Sequence, residues 1–272
     1  GEVFVAENTI IERDNPMTNV ELREKIEFQN VYFQYKGNCK PILENINFSI
    51  KSGESLGIIG STGSGKSTLI NLIPRFYDPS KGSIKIDSVD IKDMKIKELR
   101  DKIAMVPQKV LLFTGTIEEN IKWGNEMATM EEIIEVSKIA QAHDFITSFS
   151  EEYNTYLGQG GVNLSGGQKQ RISIARALIK RPDILILDDS TSAVDLITER
   201  KIKDGLKTYS KDTSLILIAQ RITSIMDADK ILVMDKGKIV DQGNHTELMK
   251  TSEIYQDIYH SQIGKEDIAI GF

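Results

Sequence analysis

Nine consecutive residues, Gly60-Ser61-Thr62-Gly63-Ser64-Gly65-Lys66-Ser67-Thr68, hold the clearest chemistry in the chain. Glycines at this spacing let main-chain N–H groups approach phosphate oxygens. Lys66 can reach the terminal phosphates, and the Ser67 hydroxyl suits Mg²⁺. The loop follows a short apolar run, residues 56–59, and precedes a helical pattern predicted over residues 69–76. A strand, this loop and then a helix is the setting that phosphate binding requires. A bare glycine-rich turn would not demand the Lys66-Ser67 pair.

A second group lies at the end of the apolar run 184–187, where Asp188 and Asp189 stand side by side. Asp188 is placed to hold Mg²⁺ through water, the acidic element that a phosphate-loop enzyme needs. Taken alone, the pair could equally cap a helix, since Ser190 and Thr191 follow. Between the two groups lies Leu164-Ser165-Gly166-Gly167-Gln168, which opens a predicted helix. A serine and two glycines at a helix N-terminus form a second surface for an anion, or simply a capped turn.

The elements that must position these groups alternate in type. Residues 26–35 and 42–50 read as antiparallel strands, and residues 83–87 as a further strand before a charged helix over 95–101. Residues 116–123 and 130–149 carry helical spacing and suggest an inserted helical segment. Beyond residue 180, which Arg181-Pro182 follows as a stop, strands at 184–187, 215–219, 231–234 and 238–240 alternate with a helix over 197–209. A helix over 252–262 closes the pattern. This order predicts an α/β fold with a mostly parallel sheet.

Composition narrows the classes. The chain has 272 residues, 40% of them hydrophobic, and a net charge of -6. That balance argues against a nucleic-acid partner. A single cysteine, Cys39, forms neither an intrachain disulfide nor a cysteine metal cluster. No apolar run approaches the roughly 18 residues of a spanning helix. His143, His245 and His260 are scattered, and no chemistry is assigned to them. The chain begins with Gly1, so it is expected to be a piece of a longer polypeptide.

The ordered set resembles the ATP-binding cassette (ABC) superfamily over about residues 26–262. The resemblance implies a P-loop NTPase core with a mostly parallel sheet, an N-terminal antiparallel β subdomain and an inserted helical subdomain over about residues 109–180. It implies ATP and Mg²⁺ as ligands, with Ser67, Gln108 and Asp188 around the metal. Tyr35 falls where the family stacks adenine on an aromatic ring. Gln108, after Val106-Pro107, matches the glutamine loop, and Ser192-Ala193-Val194-Asp195 looks like the D-loop at the dimer interface. The signature Leu164 to Gln168 would face the ATP of a second subunit.

Within the superfamily the exporter type is the better match. Phe113-Thr114-Gly115-Thr116-Ile117-Glu118-Glu119-Asn120 resembles the exporter segment after the glutamine loop. Tyr156-Leu157-Gly158-Gln159-Gly160-Gly161 is a variant of the exporter Val-Gly-Glu-Arg-Gly loop, with Gln159 and Gly160 in place of a charged pair. Residues 1–24 are then expected to link a transmembrane domain of the same polypeptide to a nucleotide-binding domain over 25–265. Residues 266–272 are expected to form a tail, and the resemblance implies that the domain sits at the cytoplasmic face of the membrane.

Two positions depart from the family pattern. Asp189 replaces the glutamate that polarises the attacking water, and the lost methylene retracts the carboxylate by roughly 1.5 Å. Misplacements near 1 Å can cost about 10²-fold in rate. Gln220, before Arg221, replaces a histidine and cannot become cationic. The pattern resembles the degenerate-site subunit of a heterodimeric bacterial ABC exporter, with Asp189 and Gln220 as weak catalytic groups. A self-sufficient homodimeric ATPase, a non-transport cassette ATPase and a regulatory nucleotide-binding module are the other readings.

Overall fold

The computed structural model describes residues 10–20, 23–38, 40–209 and 212–269. β1 (Lys25–Phe33) and β2 (Leu43–Lys51) pair antiparallel, with Phe28 opposite Phe48 and their rings stacked at 4.4 Å. β3 (Ser55–Gly60) then runs into α1 (Lys66–Asn71). β4 (Lys81–Ile86) and β5 (Val89–Asp90) complete a four-stranded antiparallel sheet in the order β2-β1-β4-β5. After α2 (Ile96–Asp101), β6 (Ile103–Val106) enters a second sheet. A mostly helical stretch follows: β7 (Gly115–Thr116), α3 (Ile117–Lys122), α4 (Met130–Ile139), α5 (His143–Thr147), β8 (Tyr156–Leu157) and α6 (Gly166–Leu178). The rest alternates: β9 (Ile184–Asp188), α7 (Leu196–Tyr209), β10 (Ser214–Ile218), β11 (Lys230–Asp235), β12 (Lys238–Gly243), α8 (His245–Thr251) and α9 (Glu253–Ala269).

The second sheet has the order β12-β11-β3-β10-β9-β6, parallel except for β12. Both of its faces are covered, which is why β9 reads as a continuous apolar run. Ile184 and Ile186 of β9 join Phe28, Ile84 and Leu69 in the core between the two sheets. Leu185 and Leu187, on the opposite face, join Ile133, Ile146, Ile172 and Leu178 of the helical stretch. A third cluster packs Ile59, Ile222 and Val233 against Leu248 of α8 and Tyr255 of α9. The α/β class with a parallel sheet and an antiparallel sheet is the one the sequence predicts.

Several elements differ from expectation. The helix after the glycine loop spans residues 66–71 rather than 69–76. Pro74 disfavours a helical residue before it, and Arg75 takes φ +52°. The helix expected over 130–149 is two helices, α4 and α5. Gln141 adopts φ +56°, while Ala142 N donates to Ser137 O and Gln141 N to Lys138 O, closing α4 in a Schellman turn. β1 ends at Phe33, which leaves Tyr35 in the following loop. β6 and α8 have no counterpart in the sequence reading, and α9 runs into the expected tail.

Residues 10–20 of the expected linker are docked. Met17 pairs with residues 93–95 through two backbone bonds, and Ile96 N donates to Glu12 Oε1 at 2.7 Å. The buried guanidinium of Arg75 donates to Ile11 O at 2.9 Å and to both oxygens of Asp78. Positions 1–9 and Cys39 lie outside the described residues.

Candidate nucleotide site

β3 ends at Gly60, where a Cβ would lie 2.1 Å from Met234 O. Only glycine fits that approach. Gly63 and Gly65 take φ of +80° and +99°, which suits residues without a side chain, and Gly65 is the N-cap of α1. The turn is closed by Ser64 N donating to Ser61 O, and Gly237 N braces it by donating to Ser64 O. Lys66 Nζ lies across the loop, donating to Gly60 O at 2.7 Å and Ser61 O at 2.9 Å. Burial pushes its pKa down, and Asp188 and Asp189 oppose that shift.

The parallel strands deliver the polar groups at their C-terminal ends, where α/β sheets place their binding sites. Ser67 Oγ donates to Asp188 Oδ1 at 3.4 Å. Asp189 Oδ2 accepts from Gln220 Nε2 at 2.8 Å and from Gln108 Nε2 at 3.1 Å. Asp189 itself has φ +47°, a conformation that aspartate tolerates better than longer side chains. Both carboxyls are 8% exposed, and burial raises the pKa of each; hydrogen bonds from Ser67 to Asp188 and from the two amides to Asp189 pull the other way. The cavity they line has a volume of about 680 Å³. Tyr35 and Thr68 also line it and meet at 3.1 Å, with the Tyr35 ring held edge-on by Phe33 and Tyr77.

The signature and D-loop residues lie away from this cavity and against each other. Ser165 caps α6 in a capping box with Gln168: Gln168 N donates to Ser165 Oγ and Ser165 N donates to Gln168 Oε1. A Cβ on Gly167 would lie 2.8 Å from Ala193 O, so glycine permits the close approach. Gln170 ties the two segments, accepting from Ala193 N at 3.1 Å and donating to Ser192 Oγ at 3.4 Å. Ser165, Gly166, Ser192, Ala193 and Asp195 are exposed, while Leu164 and Val194 are buried beneath them.

A family model described as ABC transporter matches residues 43–192, which contain the phosphate loop, Gln108, the signature and both aspartates. This chain belongs to the ABC transporter family. Its enzymatic class is that of the ABC ATPase. Among curated relatives, an uncharacterized ABC transporter ATP-binding protein of Bacillus subtilis is 50% identical over 266 residues, covering 98% of this chain and 46% of the relative. A putative multidrug export ATP-binding/permease protein of Staphylococcus aureus is 48% identical over 244 residues, covering 89% of this chain and 42% of the relative. A solved structure of a bacterial Atm1-family ABC exporter with ATP bound superposes with a TM-score of 0.91 at 36% identity, over 96% of this chain and 46% of that one. The chain thus spans less than half the length of these relatives.

ABC domains bind ATP, and the cavity suits phosphate. Gly63, Gly65, Lys66 and Ser67 of the loop line it, a cation and a hydroxyl beside residues without side chains. Ser67 and Asp188 supply hard oxygen donors of the kind Mg²⁺ takes together with phosphate oxygens. Among the described residues no group of three or more His, Cys, Asp or Glu side chains is placed to hold a metal. Gln108, expected at the metal, reaches the cavity with its amide engaged by Asp189.

Some site residues carry no sequence signal. Gln170 falls inside an apolar helix face, where a buried polar residue is the only clue to its bridging role. Ile254, Ile258, Ser261 and Gln262 of α9 line the cavity from a helix far along the chain.

Proposed function

We propose that this chain is the nucleotide-binding domain of a heterodimeric ABC exporter and that its own site holds Mg-ATP and hydrolyses it slowly. The observation that carries this reading is the Gln220–Asp189 bond at 2.8 Å, where a shortened carboxylate and an uncharged amide occupy the two γ-phosphate positions. The exporter and multidrug-export names of the relatives support the transport part. The exposed, capped signature at Ser165 supports a head-to-tail pairing in which this chain completes a partner's site.

On this reading the main-chain N–H groups of residues 61–67 cradle the phosphates, and Lys66 exchanges its loop carbonyls for phosphate oxygens. Ser67 and Asp188, with Gln108 beside them, would hold Mg²⁺, which supplies charge neutralisation on the phosphates. Tyr35 stacks the base. Asp189 orients the attacking water, from a position roughly 1.5 Å short of a glutamate's reach. Gln220 donates to the γ-phosphate without a positive charge, so it stabilises developing charge less than a histidinium would. The partner's membrane-embedded regions, and those expected before residue 1, carry the cargo.

The other reading is a self-sufficient homodimer in which Asp189, held in the cavity by Gln220 and Gln108, serves as the base. Mg-ATP binding and turnover, measured against chain concentration with and without a candidate partner cassette, separate the two. Binding with very low turnover until the partner is added supports the heterodimer. Robust turnover of the chain alone, rising steeply with its concentration, refutes the degenerate-site reading, and its loss in Asp189→Ala would assign the base to Asp189.

A further inference from the structure

Gln220 sits just past the end of its sheet. β10 is paired with β3 and β9 as far as Ile218, and the last contact on the β3 side is Ala219 N to Ile58 O at 3.4 Å. The next residues, Gln220 and Arg221, are exposed. A segment in that position has no strand beside it to hold its backbone.

The side chain of Gln262 supplies the missing neighbour. Its Nε2 donates to Gln220 O at 2.8 Å, and its Oε1 accepts from Ile222 N at 2.7 Å. A parallel strand bonds its neighbour in this way, taking the carbonyl of one residue and the amide of the residue two further on. One primary amide therefore imitates a strand centred on Arg221. The arm that presents it is well anchored. Tyr255 of α9 is fully buried and its hydroxyl meets His245 Nδ1 at 2.9 Å, while Ser252 Oγ donates to Asp241 Oδ2 at 2.6 Å. Ile258 and Tyr259 pack on the cluster that contains Ala219 and Ile222.

We infer that Gln262 is a positioning residue for Gln220: it fixes the backbone of residues 220–222, so that the Gln220 side chain stays on Asp189 at the end of the cavity that receives the terminal phosphate. This rests on the nucleotide site proposed above and extends it to a helix with no recognised motif. The consequence is selective. ADP lacks the phosphate that Gln220 reads, so loosening Gln220 weakens ATP and leaves ADP alone. General damage to α9 or to its docking would weaken both.

The test is the ratio of ATP to ADP affinity, measured by calorimetry on the full chain with Mg²⁺. Gln262→Ala is expected to lower that ratio by roughly three- to tenfold, the scale of one hydrogen bond to a charged group made poorly, the loss falling on ATP rather than equally on ADP. Gln262→Met keeps the length and packing of the side chain without adding charge but loses both bonds, and it is expected to show the same selective loss with α9 docked. In a Gln220→Ala background, Gln262→Ala is expected to change the ratio no further. An unchanged ratio in both Gln262 variants, equal losses for ATP and ADP, or an undiminished effect in the Gln220→Ala background overturns the inference while leaving the nucleotide site standing. Absence of Mg-ATP binding by the wild-type chain overturns both.

Discussion

Replacing Asp189 by Glu is expected to raise ATP turnover by the chain and to lower its stability without nucleotide. The added methylene moves the carboxylate by about 1.5 Å. Asp189 Oδ2 now accepts two amides at 2.8 and 3.1 Å, which leaves little room inside the hydrogen-bonding range of about 2.7–3.2 Å. At least one of these bonds must lengthen beyond use, at about 1–1.5 kcal/mol. The backbone at φ +47° suits glutamate less well than aspartate, adding less than about 1 kcal/mol. Together these predict a melting point lower by about 2–10 °C. The same displacement restores the reach that the water needs, worth up to about 10²-fold in rate. Because Gln220 stays uncharged, a gain of about tenfold is expected. Phosphate release at saturating Mg-ATP, beside a melt of the unliganded chain, measures both. Turnover that is unchanged or falls while the melting point drops as calculated would refute the argument from reach.

Asp189→Asn reverses the stability effect. Burial raises the Asp189 pKa on folding, so the folded chain binds this proton more tightly than the unfolded chain does, and the ionised carboxyl costs stability at neutral pH. The variant is expected to melt higher than wild type at pH 7, with the gap closing as pH falls towards the ordinary carboxylate value of 3.8; a gap that widens on acidification contradicts the sign. Mg-ATP at about 100 times its Kd stabilises wild type by about 2.7 kcal/mol, or about 5–10 °C, and Lys66→Ala is expected to lose that shift in a thermal melt. Tyr35→Ala removes a ring worth about 1–3 kcal/mol against a base, so ATP affinity is expected to fall roughly tenfold, whereas Tyr35→Phe, which loses only the Thr68 contact, changes it little in the same titration.

The parts of the site that were legible in the sequence are those whose chemistry needs neighbours in the chain. A phosphate cradle takes consecutive amides, so Gly60 to Thr68 had to be contiguous, and a capped signature takes Ser165 and Gln168 within one turn. Where the chain turned without a customary stop, the pattern misled. Gln141 ends α4 where glycine would have announced the break, and α1 stops before Pro74 because the constraint acts on Ile73 rather than on the proline alone. The lead-in at residues 10–20 docks through backbone bonds of Met17 to residues 93 and 95, through the Glu12 side chain on Ile96 N and through Arg75, contacts too far apart in the chain for any spacing to announce them. Least legible were contacts made by convergence. Asp189 and Gln220 meet because β9 and β10 are adjacent and parallel, and Gln262 meets Gln220 because α9 folds back across the end of β10. A single amide on a weakly patterned helix gives no periodic signal, yet it holds the backbone of the residue on which the slow-hydrolysis reading depends. On the proposed reading the γ-phosphate end of this site is therefore a tertiary construction, and substitutions in α9 that leave every recognised motif intact are expected to alter how the chain tells ATP from ADP.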